Sequence, residues 1–209
     1  MRKRILSLLC VLALCLGLLP ITALAESTAP QTLYVGSTTI SAGYWTSSDG
    51  GTTWARQENQ PEGNNYIYYD GQGTLKLHNA TIQGGSITGS APFGSGIYAL
   101  SSSNQPVTLT IELIGENTIT GTFGIYVNAT PPTTPGTDAS LVIKKSGDNG
   151  DNGSLTVTGT GNSGLHIISG TGDASLTIKN ASVDAKTTQT YSSYAGVCVQ
   201  SGASATGSP

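Results

Sequence analysis

The chain has 209 residues, with 9 Lys and Arg against 12 Asp and Glu and a formal net charge of −3. That balance leaves no basic surface to attract nucleic acid or anionic lipid. Its 28 glycines and scarce charges lean toward disorder, but Leu, Ile and Val recur in short alternating runs, the pattern of packed strands. The first element in chain order is residues 1–25, "MRKRILSLLCVLALCLGLLPITALA". Arg2, Lys3 and Arg4 form a basic start, an apolar run extends from Ile5 to Leu19, and Ala23 and Ala25 precede Glu26. This is the pattern of a Sec signal peptide with an Ala-x-Ala site. The apolar run is shorter than the ~20 residues that span a bilayer, and a lipoprotein reading at Cys15 fails because Leu14 stands where a small residue is expected. Cleavage would leave six basic against twelve acidic residues, a net charge of −6, and Cys198 as the remaining cysteine. With one cysteine no internal disulfide can form. A secreted, extracellular chain with no membrane insertion after signal cleavage is therefore expected.

Residues 26–73 hold short strands, turns and most of the aromatic residues, and are expected to form a small β-rich N-terminal cap. Within them "SSDGGTTW", Ser47 to Trp54, fits Ser-x-Asp-x-Gly-x-Thr-Trp at each fixed position. It resembles the Asp-box of bacterial sialidase-like propellers, which implies that Asp49 accepts hydrogen bonds from the turn's own backbone while Trp54 packs beneath. A sialidase needs several Arg side chains to clamp a substrate carboxylate. After the signal the chain has one, Arg56, so the motif is expected to be a structural hairpin. Tyr44, Trp45, Tyr66, Tyr68 and Tyr69 cluster in the same segment. Some must build the cap's own core; Tyr44 and Trp45 are candidate ligand contacts.

From residue 74 to 209 three strand types recur in fixed order. The first is "TLKL", "TLTI", "SLVI" and "SLTI", with leading residues Leu75, Leu109, Leu141 and Leu176 at spacings of 34, 32 and 35. The second ends at Ile82, Ile119, Val157 and Val183; the third is "SGIYA", "FGIYV", "SGLHI" and "AGVCV". Alternation places Leu75 with Leu77, and Ile125 with Val127, on one inward face. Stacked coils of this kind bury a column that no single repeat could bury alone. The reading is all-β: a right-handed parallel β-helix, a pectate-lyase-like solenoid of about four coils, behind the β-rich cap. Gly96, Gly124, Gly164 and Gly196 open the third strand each time, where a sharp corner is expected to need a glycine conformation. The fourth coil runs into "SGASATGSP" with no charged strand or cap, so a truncated C-terminus with an open, self-associating end is expected.

The run "GIYV…SLVI…GSLTV…SGLHI…SLTI", with "LYVG…GYW…YYDGQGTLKLHNATI" before it, resembles the parallel β-helix repeat regions of large gut Firmicutes surface proteins. That group is described as carbohydrate-binding or adhesin-like, and the resemblance implies a glycan or host or cell-surface polysaccharide as partner. In the third strands Tyr98, Tyr126, His166 and Cys198 share a register position that alternation places outside. Stacked there, Tyr98, Tyr126 and His166 are candidate contacts for sugar faces; the competing reading is a packing ladder beneath a long loop.

Catalysis finds less support. The lyases this fold resembles hold Ca²⁺ with clustered Asp beside an Arg or Lys base, and the hydrolases use Asp pairs with a Gly-His-Gly loop. His78 and His166 lack flanking glycines, and Asp148 with Asp151 is the one close acidic pair. Glycoside hydrolysis needs two carboxylates held about 5 to 10 Å apart, which two Asp in a Gly-rich loop do not provide. Asp148 and Asp151 could ligate Ca²⁺ through hard oxygens, but "DNGDNG" reads better as a solvated turn, so no cofactor and no catalytic residue is expected. The expected function is a noncatalytic, secreted or cell-surface glycan-binding or adhesive module. The alternatives are a fragment of a polysaccharide lyase or hydrolase whose catalytic coils are absent, and a passive stalk.

Overall fold

The computed structural model describes residues 28–63, 65–85, 94–101, 105–129, 137–147, 153–170, 172–191 and 194–202. All seventeen regular elements among them are strands. The leading segment contributes β1 (Thr32–Val35), β2 (Thr38–Thr39), β3 (Gly43–Thr46), β4 (Ala55–Gln57) and β5 (Tyr66–Tyr69). Twelve strands follow: β6 (Thr74–His78), β7 (Thr81–Gln83), β8 (Ile97–Leu100), β9 (Val107–Ile114), β10 (Glu116–Gly121), β11 (Ile125–Ala129), β12 (Ala139–Lys145), β13 (Ser154–Gly159), β14 (Leu165–Ser169), β15 (Ala174–Lys179), β16 (Ser182–Thr187) and β17 (Val197–Gln200).

These twelve are dealt in rotation onto three sheets: β6-β9-β12-β15, β7-β10-β13-β16 and β8-β11-β14-β17. Every pairing within these runs is parallel. The cause is the alternation in each strand. In β9, Val107, Leu109, Ile111 and Leu113 are fully buried while the residues between them are half-exposed, and β12 and β13 repeat the pattern. Inward residues of all three sheets meet in one core that includes Leu75, Ile82, Ile97, Leu109, Ile119, Ile125, Leu141, Leu155 and Leu165.

The register corrects two expected equivalences. Leu75 lies opposite Ile111 rather than Leu109, and Val183 lies opposite Leu155 rather than Val157. Both slips are of two residues, which keeps every side chain on its face, whereas a slip of one would turn the core outward. The first slip leaves the start of β9 without a β6 partner, and the leading segment supplies one: Thr108 N–H donates to Thr28 O at 2.6 Å. The third strands follow the expected register throughout: Tyr98, Tyr126, His166 and Cys198 are aligned.

The corner glycines also act differently from expectation. Gly96, Gly124, Gly164 and Gly196 are not among the positive-φ glycines; close approach is what excludes a side chain. A Cβ on Gly164 would lie 2.7 Å from Lys186 O and 2.9 Å from Gly196 O. The left-handed conformation falls at the preceding corner, on Asn79 (φ 47°), Gly115 (φ 66°) and Asn180 (φ 52°), the residue types that tolerate it.

The leading segment closes one end of all three sheets. β1 pairs antiparallel with β8, and β5 with β6. At the third sheet Gln83 N–H donates to Gly51 O at 3.1 Å, so the hairpin carrying Gly51 sits against β7. At the opposite end the outermost strands are β15, β16 and β17.

Candidate functional site

The hairpin between β3 and β4 has the expected Asp-box geometry. Asp49 Oδ1 accepts N–H bonds from Thr52 at 3.1 Å and Thr53 at 3.0 Å, and Oδ2 accepts the Thr53 hydroxyl at 2.6 Å. Ser47 donates its hydroxyl to Oδ1 at 2.8 Å. These donors, the Thr53 hydroxyl first, hold the Asp49 carboxyl well below the usual carboxylate range. Trp54 is buried and donates its indole N–H to Gly51 O at 3.0 Å. The carboxylate is thus committed to its own turn, and its effect is to fix Gly51 against β7.

Across β3 and β5, Tyr44 lies opposite Tyr68, with ring centroids 4.7 Å apart. Tyr66 meets Tyr44 edge-on at 5.9 Å. On the other side of β3, β4 sets Gln57 opposite Tyr44. The three strands enclose an open cleft of about 500 Å³ lined by Gly43, Tyr44, Arg56, Gln57, Glu58 and Tyr68. Arg56 Nη2 donates to Ala42 O at 3.0 Å, which anchors a guanidinium that has five N–H donors in all. Gln57 Nε2 is held by Thr46 Oγ1 at 2.9 Å, so its Oε1 is the end available as acceptor. Aromatic faces with fixed donors and a carboxylate form a surface on which C–H groups can pack and hydroxyls can be paired.

Trp45 alternates to the other face. It is 8% exposed and donates its indole N–H to Ser41 O at 3.0 Å. Trp45, a candidate ligand contact from the sequence, packs in the core on the face of β3 opposite to Tyr44 and is not among the residues that line the cleft. Of the two candidates in this segment, Tyr44 alone reaches an open surface. Arg56, Gln57 and Glu58 were not singled out from the sequence as ligand contacts. Their signal was the lone Arg after the signal segment, directly following the Asp-box.

The third-strand column exists but is not external at its first member. Tyr98 is 5% exposed, stacked between Tyr34 at 6.1 Å and Tyr126 at 5.2 Å. Tyr34 belongs to the column because β1 pairs it with Tyr98. Phe123 lies against Tyr126 at 4.6 Å and meets His166 edge-on at 5.1 Å. Burial raises the Tyr98 hydroxyl and pushes Tyr126 up to about 12, while it lowers His166. The buried His166 Nδ1 has no hydrogen-bond partner. Tyr98 is therefore a packing residue, and Tyr126 and His166, half-buried beneath Phe123, continue that ladder. Cys198 ends it as a free thiol.

Among the described residues no three His, Cys, Asp or Glu side chains converge to hold a metal ion. Asp148 and Asp151, the Ca²⁺ candidates, lie outside the described residues, as do residues 1–25. His78 stacks on Tyr66 at 4.6 Å. No helix among the described residues is long and apolar enough to cross a membrane. Comparison with protein-family models, with curated proteins and with solved structures finds no match for the chain.

Proposed function

We propose that this chain is a noncatalytic glycan-binding module of an exported, cell-surface protein, with its binding site in the cleft of β3, β4 and β5. The observation that carries the reading is the pairing of the Tyr44 and Tyr68 rings beside Arg56, Gln57 and Glu58 in one open cleft. Ring faces take the apolar side of a sugar, and the guanidinium, amide and carboxylate pair with its hydroxyls. Hydrolysis in its usual form takes two carboxylates across the bond to be cut, and the cleft lining contributes one, Glu58.

The same reading takes the three-sheet rotation as a right-handed parallel β-helix of about four coils that projects the N-terminal cleft outward. Parallel pairing of every third strand supports it. Export rests on the signal-like residues 1–25.

A glycan array probed with the purified chain tests the site. Retention of a defined sugar class by the parent, lost in the Tyr44→Ala, Tyr68→Ala double variant, is the expected result. An array with no retained glycan, or equal retention by the double variant, would overturn it.

A further inference from the structure

The outward side chains of the cleft continue as one row across all seven strands of its sheet. Gln57, Tyr44 and Tyr68 stand opposite one another on β4, β3 and β5. Lys76 of β6 lies opposite Tyr68, Glu112 of β9 opposite Lys76, Lys144 of β12 opposite Glu112, and Lys179 of β15 opposite Lys144. Residues that face each other in a ladder share a face of the sheet, so the aromatic and charged halves of the row form one surface. Strands lie about 4.8 Å apart, which puts Lys144 roughly 14 Å from Tyr68 along the row.

The charges of this sheet run against those of the chain. Of the six basic residues after residue 25, five lie in its strands: Arg56, Lys76, Lys144, Lys145 and Lys179. Of the twelve acidic residues its strands hold one, Glu112. The sixth basic residue, Lys186, stands on β16, 3.8 Å from Asp184. Glu112 Oε1 lies 3.0 Å from Lys144 Nζ and its Oε2 3.7 Å from Lys76 Nζ. A single carboxylate between two ammonium groups leaves the trio positive and ties both lysines to one place on the sheet. The acidic side chains nearest the sheet are engaged or stand at its margins. Asp70 Oδ1 accepts the N–H groups of Gln72 and Thr74 in its own turn. Asp138 Oδ1 accepts the Asp173 N–H at the ends of β12 and β15 opposite to Lys144 and Lys179. Glu58 and Glu62 belong to the connection after β4, the sheet edge remote from Lys144. A net acidic count conceals this segregation, which register alone assembles.

We propose that the cleft takes an acidic polysaccharide laid across the strands, with one sugar on the Tyr44 and Tyr68 rings and its carboxylate or sulfate groups on Lys76 and Lys144. The inference rests on the reading of the cleft as a glycan site and names the class of glycan. Charge complementarity selects it: a chain that leaves the cleft along the row passes directly from aromatic rings to ammonium groups. Nucleic acid fits the row poorly. It carries one negative charge per about 1.7 Å of duplex axis, and so dense an array would press phosphates onto Glu112. Sugar acids are spaced by whole rings, and a hydroxyl between them can donate to that carboxylate.

Biolayer interferometry with the purified chain against two immobilised pairs tests this: polygalacturonate with its methyl ester, and dextran sulfate with dextran. The acidic member is expected to bind, more weakly as salt rises, and the neutral one not; which pair responds tells carboxylate from sulfate. The Lys76→Gln, Lys144→Gln double variant should weaken that binding about tenfold. Glu112→Gln, which removes the competing carboxylate, should strengthen it about threefold, a gain that a purely structural ion ladder would not give. Far-UV spectra establish that the variants fold, and the paired glycans keep the test decisive for the parent alone. Neutral and acidic members bound alike, with loss in the Tyr44→Ala, Tyr68→Ala double variant and indifference to the lysines, would overturn this inference and leave the glycan site standing. Silence toward both acidic members would also overturn it, whereas the glycan site itself falls only with the array. Acidic binding untouched by the tyrosine variant, or duplex DNA bound as tightly, would make the face a general polyanion surface and overturn the inference as well.

Discussion

Asn117 Oδ1 accepts the Ala80 N–H at 2.8 Å, joining residues 37 apart in sequence at one corner of the sheets. The same side chain, 2% exposed, donates Nδ2 toward Ile114 O, Gly115 O and Ser154 O at 3.2 to 3.3 Å. One buried amide therefore satisfies backbone groups beside three successive strands of one sheet, β7, β10 and β13. Truncation would leave the buried Ala80 N–H without its partner, at about 1–3 kcal/mol, while Ile114 O and Gly115 O keep the N–H groups of Asn79 and Ser154. Asn117→Ala is expected to lose about 1–3 kcal/mol in urea unfolding, with the midpoint shifted and the slope unchanged.

The tyrosine ladder should make stability fall at both ends of the pH scale. Tyr126 is held neutral up to about 12 by burial, with the nearby Tyr98 adding to the effect. Above the ordinary tyrosine value of 10.0 the unfolded chain releases this proton and the folded one keeps it, so stability falls between about pH 10 and 12. His166 is lowered from 6.5 by burial. Below pH 6.5 the unfolded chain takes up a proton first, so the stability tied to neutral His166 is lost as pH falls toward its folded value. Tyr126→Phe should reduce the alkaline limb of a stability-against-pH curve to the part that the raised Tyr98 and Tyr69 contribute and leave the acid limb; His166→Phe should reduce the acid limb to the part that Asp49 contributes and leave the alkaline one.

Truncating aromatics separates core from cleft. Trp45→Ala and Tyr98→Ala remove buried rings and are expected to cost about 3–5 kcal/mol each. Tyr44→Ala, at the cleft, should cost about 1 kcal/mol through its lost contact with Tyr68. Chemical unfolding of the three variants checks the order, and an equally large loss for Tyr44→Ala would place that ring in the core.

How much of this was legible in the sequence depends on where register is set. The column from Tyr98 to Cys198 was readable because a Gly opens each third strand and no slip intervenes. Leu75 matches Leu109 in sequence because each is the second residue of a similar tetrapeptide, yet a slip of two leaves the hydrophobic pattern intact and so leaves no trace in composition. Asp49 was legible because its partners lie within four residues. The cleft was not, since it depends on Tyr44 meeting Tyr68 and Gln57 across antiparallel neighbours, and Tyr34 joins the ladder only through β1. Burial of Tyr98 has the same origin: a strand pattern gives the face, while neighbouring rings decide its exposure.

The corner glycines give the sharpest contrast between space and conformation. Gly164 lies outside the positive-φ set, so its backbone could carry alanine, yet the added methyl would press on Lys186 N at 3.0 Å as well as on the Lys186 and Gly196 carbonyls. Those atoms belong to strand β16 and to the residue before β17, and relieving the contact means moving the outermost layer away from β14. Overpacking of this kind costs about 1–3 kcal/mol. Gly147 has nothing within 4 Å of the same added atom, and alanine there should stabilise by about 0.4–1 kcal/mol through the unfolded chain. Gly164→Ala is therefore expected to lower the thermal midpoint and to lose amide protection first in β16 and β17, while Gly147→Ala leaves both unchanged or slightly raised. Equal behaviour of the two variants would mean that the corner has room for a side chain and that close approach is not what keeps glycine there.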